Sequence, residues 1–154
     1  GYSCENCEEK FSEQYANVLA CSSRQVYEFI QWLKTQPYFE NTTIILSGDH
    51  LTMDPQFLKD IDPHYTRTTY NCIINSSVNP IKEKQRMFAT FDMFPTTLSA
   101  MGVRIEGDRL GLGTDLFSAS ETLTEKYGYS QLDYELQKKS TFYNEIFCEE
   151  TTKE

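Results

Sequence analysis

No apolar run in these 154 residues approaches the 18 needed to cross a bilayer, which excludes a transmembrane helix within the stretch. Basic residues are scarce. Fourteen Lys and Arg stand against 23 Asp and Glu, a net charge of −9, which argues against a nucleic-acid surface and against simple attraction to anionic lipid. Cys4-Glu5-Asn6-Cys7 has no second Cys-x-x-Cys partner, so a four-thiolate zinc site lacks half its ligands. The same acidic stretch lacks the preceding strand and the helix start that a thioredoxin-like site requires. The glycines at 107, 111 and 113 lack GKS/T or GxGxxG spacing, which argues against a phosphate-cradling loop. There is no internal repeat and no low-complexity linker.

What is present reads as a globular α/β chain, 39% hydrophobic and 24% charged. Ten Tyr and ten Phe suit a packed core or a sugar-lined cleft equally well. The five cysteines, Cys4, Cys7, Cys21, Cys72 and Cys148, are odd in number, so at least one is free or pairs elsewhere. A disulfide among Cys4, Cys7 and Cys21 is expected if the protein faces an oxidising space. Cys72 lies inside an expected strand and reads as a small apolar residue.

Residues 1–10 form a polar leading segment. Phe11, Tyr15, Val18 and Leu19 then fall at helical spacing. Ser22 and Ser23 are candidate N-caps for a helix over 23–36, whose Val26, Phe29, Ile30 and Leu33 make an apolar stripe for packing on a sheet. Pro37 ends it. Thr43 to Ser47 is a short apolar run broken by Gly48-Asp49-His50, a strand opening into a loop. In open α/β sheets ligands sit just past the carboxyl ends of strands, and a carboxylate with an imidazole suits a divalent cation. Asp49 and His50 are therefore candidate metal ligands. A polar loop over 51–66 follows, then a second strand over 69–75. Asp92 can cap a helix that carries Pro95 in its first turn and ends at Gly102, with Met93, Phe94, Leu98 and Met101 as its apolar face. Ser130-Gln131-Leu132-Asp133 approximates a capping box for a last helix reaching Lys138 or beyond.

Taken together, the segment 25–33, the strand with Gly48-Asp49-His50, the Asp92-Met93-Phe94-Pro95-Thr96 stretch and the glycine-rich turn over 109–118 resemble, in order, the alkaline phosphatase/sulfatase superfamily. Within it they are most similar to the membrane-anchored phosphoglycerol transferases related to lipoteichoic acid synthase and to the periplasmic-glucan enzyme. The resemblance implies an α/β fold, the C-terminal portion of a sulfatase-like mixed sheet with flanking helices, the Thr43–Ser47 strand being central. It implies one partial domain over 1–154, with 1–10 and 149–154 poorly ordered.

It also implies a chemistry. Asp49 and His50 map onto ligands of a divalent metal, manganese first and zinc or magnesium as alternatives. The partners would be an anionic phosphoglycerol lipid donor and a glycan or glycolipid acceptor, at a bacterial cell membrane with the catalytic domain outside. The family's Thr or Ser nucleophile and first metal carboxylate match nothing in residues 1–42, so no catalytic nucleophile is assigned here and the isolated chain is expected to be inactive. His64 and Arg67, in the loop after the strand, are candidate substrate-phosphate contacts. A sulfatase or phosphodiesterase of the same superfamily, and a non-catalytic glycan-binding module, are the alternatives. An exposed sheet edge could pair two copies.

Overall fold

The computed structural model describes residues 4–5, 7–82 and 84–147. Cys148 and the 149–154 tail lie outside the described residues. The chain divides into two compact units, Gly1–Ser76 and Ser77–Glu154.

The first unit opens on α1, Gln14–Lys34. It is a single helix of 21 residues and begins well before Ser22 and Ser23, which lie inside it. Glu13 supplies the cap instead, its carboxylate accepting from the Ala16 amide at 2.9 Å. Two serines in a helix interior cost only about 0.5 kcal/mol each, too little to break a helix that is capped elsewhere. Buried Asn17 ties the leading segment down: its Oδ1 accepts from the Lys10 and Phe11 amides, both at 2.9 Å, and its Nδ2 donates to the Phe11 carbonyl at 2.7 Å. The buried helix residues are Asn17, Cys21 and Leu33. Of the expected stripe, Leu33 is buried but Val26 and Phe29 are exposed, and Phe29 stacks on Trp32 at 5.6 Å between centroids.

Past Pro37, β1 (Ile44–Ser47) pairs antiparallel with β2 (Asn71–Ile74), Ile44 opposite Ile74 and Ser47 opposite Asn71. Among the described residues this is a two-stranded sheet, so β1 is not central but leaves an outer edge unpaired. Its three apolar residues are accordingly half-buried, where a central strand would be covered. Cys72 is likewise half-buried and forms no disulfide. Asn75, at φ 55°, ends β2 by donating to the carbonyls of Phe39 and Thr42. The loop after β1 is more regular than its polarity suggested. Asp54 caps α2 (Pro55–Leu58) by accepting from the Gln56 and Phe57 amides. Phe57 then meets Tyr15 of α1 edge-on at 4.9 Å.

The second unit is built around α3, Met93–Ala100, entered through a 3-10 turn at Thr90–Asp92. Its buried side chains are Pro95, Thr96, Ser99 and Ala100, whereas Phe94 and Met101 of the expected apolar face are exposed. The face that packs is built of small side chains, polar and apolar. It lies on a short hairpin, β3 (Arg109–Leu110) and β4 (Gly113–Thr114). Gly111, at φ 57°, opens the two-residue hairpin loop as such turns require. Gly113 presses on α3's lead-in so closely that an added Cβ would clash with the Phe91 carbonyl oxygen.

Three helices follow, α4 (Leu123–Tyr127), α5 (Tyr129–Leu136) and α6 (Thr141–Phe147). The capping box belongs to α4, where Thr122 and Glu125 satisfy each other's amides, not to Ser130, which sits inside α5. Gly128, at φ 75°, makes the break between α4 and α5, a conformation available to glycine at no steric cost.

Candidate metal site at the end of the first strand

The β1–β2 ladder runs one rung beyond the strand, with the Gly48 amide donating to the Tyr70 carbonyl at 2.8 Å. A side chain at 48 would meet the Thr69 Cβ at 3.0 Å, so the two backbones approach closely just before the candidate ligands. Asp49 and His50 then leave the sheet into solvent, their side chains 88% and 60% exposed.

The two side chains face each other. Asp49 Oδ1 accepts from the His50 amide at 2.8 Å, which fixes the carboxylate. His50 Nδ1 lies 2.7 Å from the Leu51 carbonyl, which can only accept, so Nδ1 carries the proton. In the neutral ring Nε2 then holds a lone pair, and it lies 3.6 Å from Asp49 Oδ2. Two electron-pair donors so placed are stabilised by a shared cation. With metal bonds of about 2.0–2.2 Å, two ligands of one tetrahedral ion sit ~3.3–3.6 Å apart, so the 3.6 Å separation is at the upper end of what one divalent ion spans. The Nδ1–H bond to a backbone carbonyl is also the support that ligating imidazoles have.

The rest of the predicted set is placed differently. His64 is exposed, its amide donating to Asp62 Oδ1 at 2.8 Å. Arg67 is half-buried and its Nη1 donates to the Thr52 carbonyl at 3.1 Å, closing the loop after β1 on itself. Among the described residues no hydrogen bond or ion pair links either of them to Asp49 or His50. Nor does a third His, Cys, Asp or Glu there join the pair as a compact ligand cluster.

The second unit's motif residues are committed to the fold. Asp92 is fully buried. Its Oδ1 accepts from the Thr114 amide at 2.7 Å and its Oδ2 from the Ala89 amide at 2.8 Å. Burial pushes the Asp92 carboxyl above its ordinary range, against the two amides that hold it down. Thr96 donates to the Asp92 carbonyl at 2.6 Å and accepts from the Leu116 amide at 3.0 Å. The Asp-x-x-Pro-Thr stretch and the glycine-rich turn thus interlock.

Sequence reasoning missed Arg86, which serves the same fold. Its guanidinium forks onto Glu125 at 2.8 and 2.9 Å and donates to the carbonyls of Leu116, Ser118 and Ser120. Held by Arg86, the Glu125 carboxyl falls to about 2. The Thr-x-x-Glu spacing at 122–125 was the readable signal; nothing in the residues around Arg86 marks it.

Residues 2–103 match the family model described as Sulfatase, more than half of the chain. The chain belongs to the sulfatase family. Over 41 residues it is also 42% identical to phosphoglycerol transferase I of Citrobacter koseri, and 39% identical to the proteins of that name from Salmonella paratyphi B and Salmonella newport. Those 41 residues are 27% of this chain and 5% of the relatives' length. No solved structure matches the chain. The α/β architecture expected from the sequence is what the structure shows, with small antiparallel sheets where a mixed one was expected. Enzymes of this superfamily generally use divalent metals. Among the described residues no helix is long and apolar enough to cross a membrane.

Proposed function

We propose that this chain is the metal-bearing segment of a phosphoglycerol-transferase-like enzyme of the bacterial cell envelope, with Asp49 and His50 as two ligands of a catalytic divalent cation, manganese first. One observation carries the reading: a carboxylate oxygen and an imidazole Nε2 lie 3.6 Å apart at a strand's carboxyl end, each oriented by its own backbone contact. The phosphoglycerol chemistry is supported by the likeness to proteins named phosphoglycerol transferase I; envelope localisation and a glycan or glycolipid acceptor are part of the same proposal.

Bound there, a divalent cation supplies a Lewis acid for a phosphate oxygen and lowers the pKa of a nearby hydroxyl. Asp49 contributes charge and His50 a neutral donor. Ligation requires both to be deprotonated, so affinity falls as pH falls. Arg67 and His64 are proposed to meet the phosphoryl group of the donor, Arg67 through the guanidinium nitrogens not used on Thr52. The 154 residues alone turn over no phosphodiester. The outer edge of β1 is proposed to pair two copies; a single monomeric species in sedimentation would remove that element.

The test is a manganese titration followed by calorimetry, on the chain and on the longest form of the protein that can be prepared. Asp49→Ala and His50→Ala should each weaken binding by at least about tenfold, in line with the cost of disturbing a metal's ligand environment. Unchanged affinity in both variants would sink the metal assignment. Phosphodiester turnover by the 154-residue chain, abolished by Asp49→Ala, would keep the metal site and overturn the proposal of inactivity.

A further inference from the structure

Three sulfurs meet where the leading segment crosses α1. Cys7 and Cys21 are joined as a disulfide, their Cα atoms 5.6 Å apart. The free Cys4 Sγ lies 3.3 Å from Cys7 Sγ and 3.4 Å from Cys21 Sγ, in contact with both ends of the bond. The chain holds it there: the Cys7 amide donates to the Cys4 carbonyl at 2.9 Å, and the Cys4 amide points at Cys21 Sγ at 3.3 Å. The two bonded sulfurs have unlike surroundings. Cys21 is buried at 6% exposure, and the Cys4 amide and the neutral Gln25 side-chain amide, the latter at 3.4 Å, contact its sulfur. Cys7 is half-exposed and takes a guanidinium contact from Arg24 Nη2 at 3.3 Å. Cys7, Cys21 and Arg24 also line one open cavity of about 180 Å³ with Glu8 and Phe11.

We propose that Cys4, Cys7 and Cys21 form a thiol–disulfide exchange site in which Cys21 stays bonded while the free thiol alternates between Cys4 and Cys7. The Cys4 thiolate, having given its proton to water, attacks Cys21 Sγ. A Cys4–Cys21 bond forms, the Cys7–Cys21 bond breaks, and Cys7 departs with the electron pair as a thiolate beside Arg24 before taking a proton from water. One disulfide and one thiol are present before and after, so no oxidant or reductant is consumed. Exchange is faster when the departing sulfur is the better-stabilised thiolate. A cation stabilises a thiolate and apolar burial does the reverse, so Cys7 leaves in preference to Cys21. The Cys4 sulfur lies beside the bond, touching both ends, and attack on Cys21 requires it to turn toward the bond's axis. Both products tether the leading segment to the middle of α1; what changes is which thiol is offered to solvent.

The experiment uses the full 154-residue chain carrying Cys72→Ser and Cys148→Ser, so that only these three sulfurs take part. After incubation in mildly alkaline buffer it is quenched with acid, alkylated and mapped by peptide mass spectrometry. The label should be shared between Cys4 and Cys7, with Cys21 unlabelled. Arg24→Gln should lower the Cys7-labelled share severalfold. Cys7→Ser, oxidised in air, should join Cys4 to Cys21 and leave no labelled sulfur, which also shows that the tether can be made from Cys4. Label confined to Cys4 would overturn the proposal, as would label on Cys21. Stoichiometric zinc with all three cysteines labelled after chelation would replace it with a metal site.

Discussion

Two carboxylates close to turns, Asp49 and Asp92, look alike in the sequence and do opposite things in the molecule. Asp92 is fully buried, and its two oxygens accept from the buried Thr114 amide and the half-buried Ala89 amide. Asp49 stands in solvent with one oxygen engaged by the His50 amide and the other facing His50 Nε2. The difference is spare capacity. Where polar atoms are already spent on the backbone, they specify the fold; where a lone pair is left over beside another, the pair can hold a cation. The second unit repeats the first case in Arg86, whose guanidinium is spent on one carboxylate and three carbonyls.

This contrast can be broken by mutation, and the largest effect is expected at Arg86. Arg86→Ala leaves Glu125 charged and half-enclosed and frees three carbonyls. Breaking a buried pair by removing one partner costs about 3–5 kcal/mol, which urea unfolding followed by circular dichroism would register; a loss within experimental error would show that the pair is ornamental. Asp92→Ala ranks next. It orphans the Ala89 and Thr114 amides, each at a cost of about 1–3 kcal/mol, and hydrogen exchange at Thr114 and Leu116 should quicken accordingly.

Acid sharpens the comparison further. The Glu125 carboxyl is held at about 2, below its ordinary value. A depressed carboxylate adds stability that is complete above its unfolded pKa and is lost as pH falls through that value toward about 2. Asp92 is shifted the other way, so it contributes the opposite slope: the folded form holds its proton more tightly, and stability rises slightly as the carboxyl protonates. Urea midpoints taken down a pH series should therefore fall in the wild-type chain and fall less in Arg86→Ala. The smallest effect on stability is expected at Asp49. Asp49→Ala is an exposed substitution and should stay within about 0.5 kcal/mol of wild type; a loss comparable to that of Asp92→Ala would mean that the first unit uses Asp49 as structure.

The same distinction explains what the sequence disclosed. The strand at 44–47 and the turn at its end were legible because apolar runs and turn residues are local signals. The glycine-rich turn was legible for the same reason. The role of Asp92 and Thr96 was not, because their partners at Thr114 and Leu116 lie about twenty positions away and their burial contradicts the usual sorting of polar residues to the surface. Hydrophobic periodicity pointed to Phe94 and Met101, which are exposed, and passed over the small side chains that pack. Ser22 and Ser23 misled in the other direction, since a good cap residue is also a tolerable helix residue when Glu13 has already done the capping.

Gly48 has a consequence of its own. It anchors the last rung of the ladder, where the absence of a Cβ lets the neighbouring strand come close to the chain that launches Asp49 and His50. In the proposed site that rung fixes where the chain carrying Asp49 and His50 leaves the sheet, while their own contacts to the His50 amide and the Leu51 carbonyl set the span between the ligand atoms. An alanine there would push against Thr69 and shift that exit by a few tenths of an ångström. The residue with no side chain would then steer the pair as a unit, without touching either member of it.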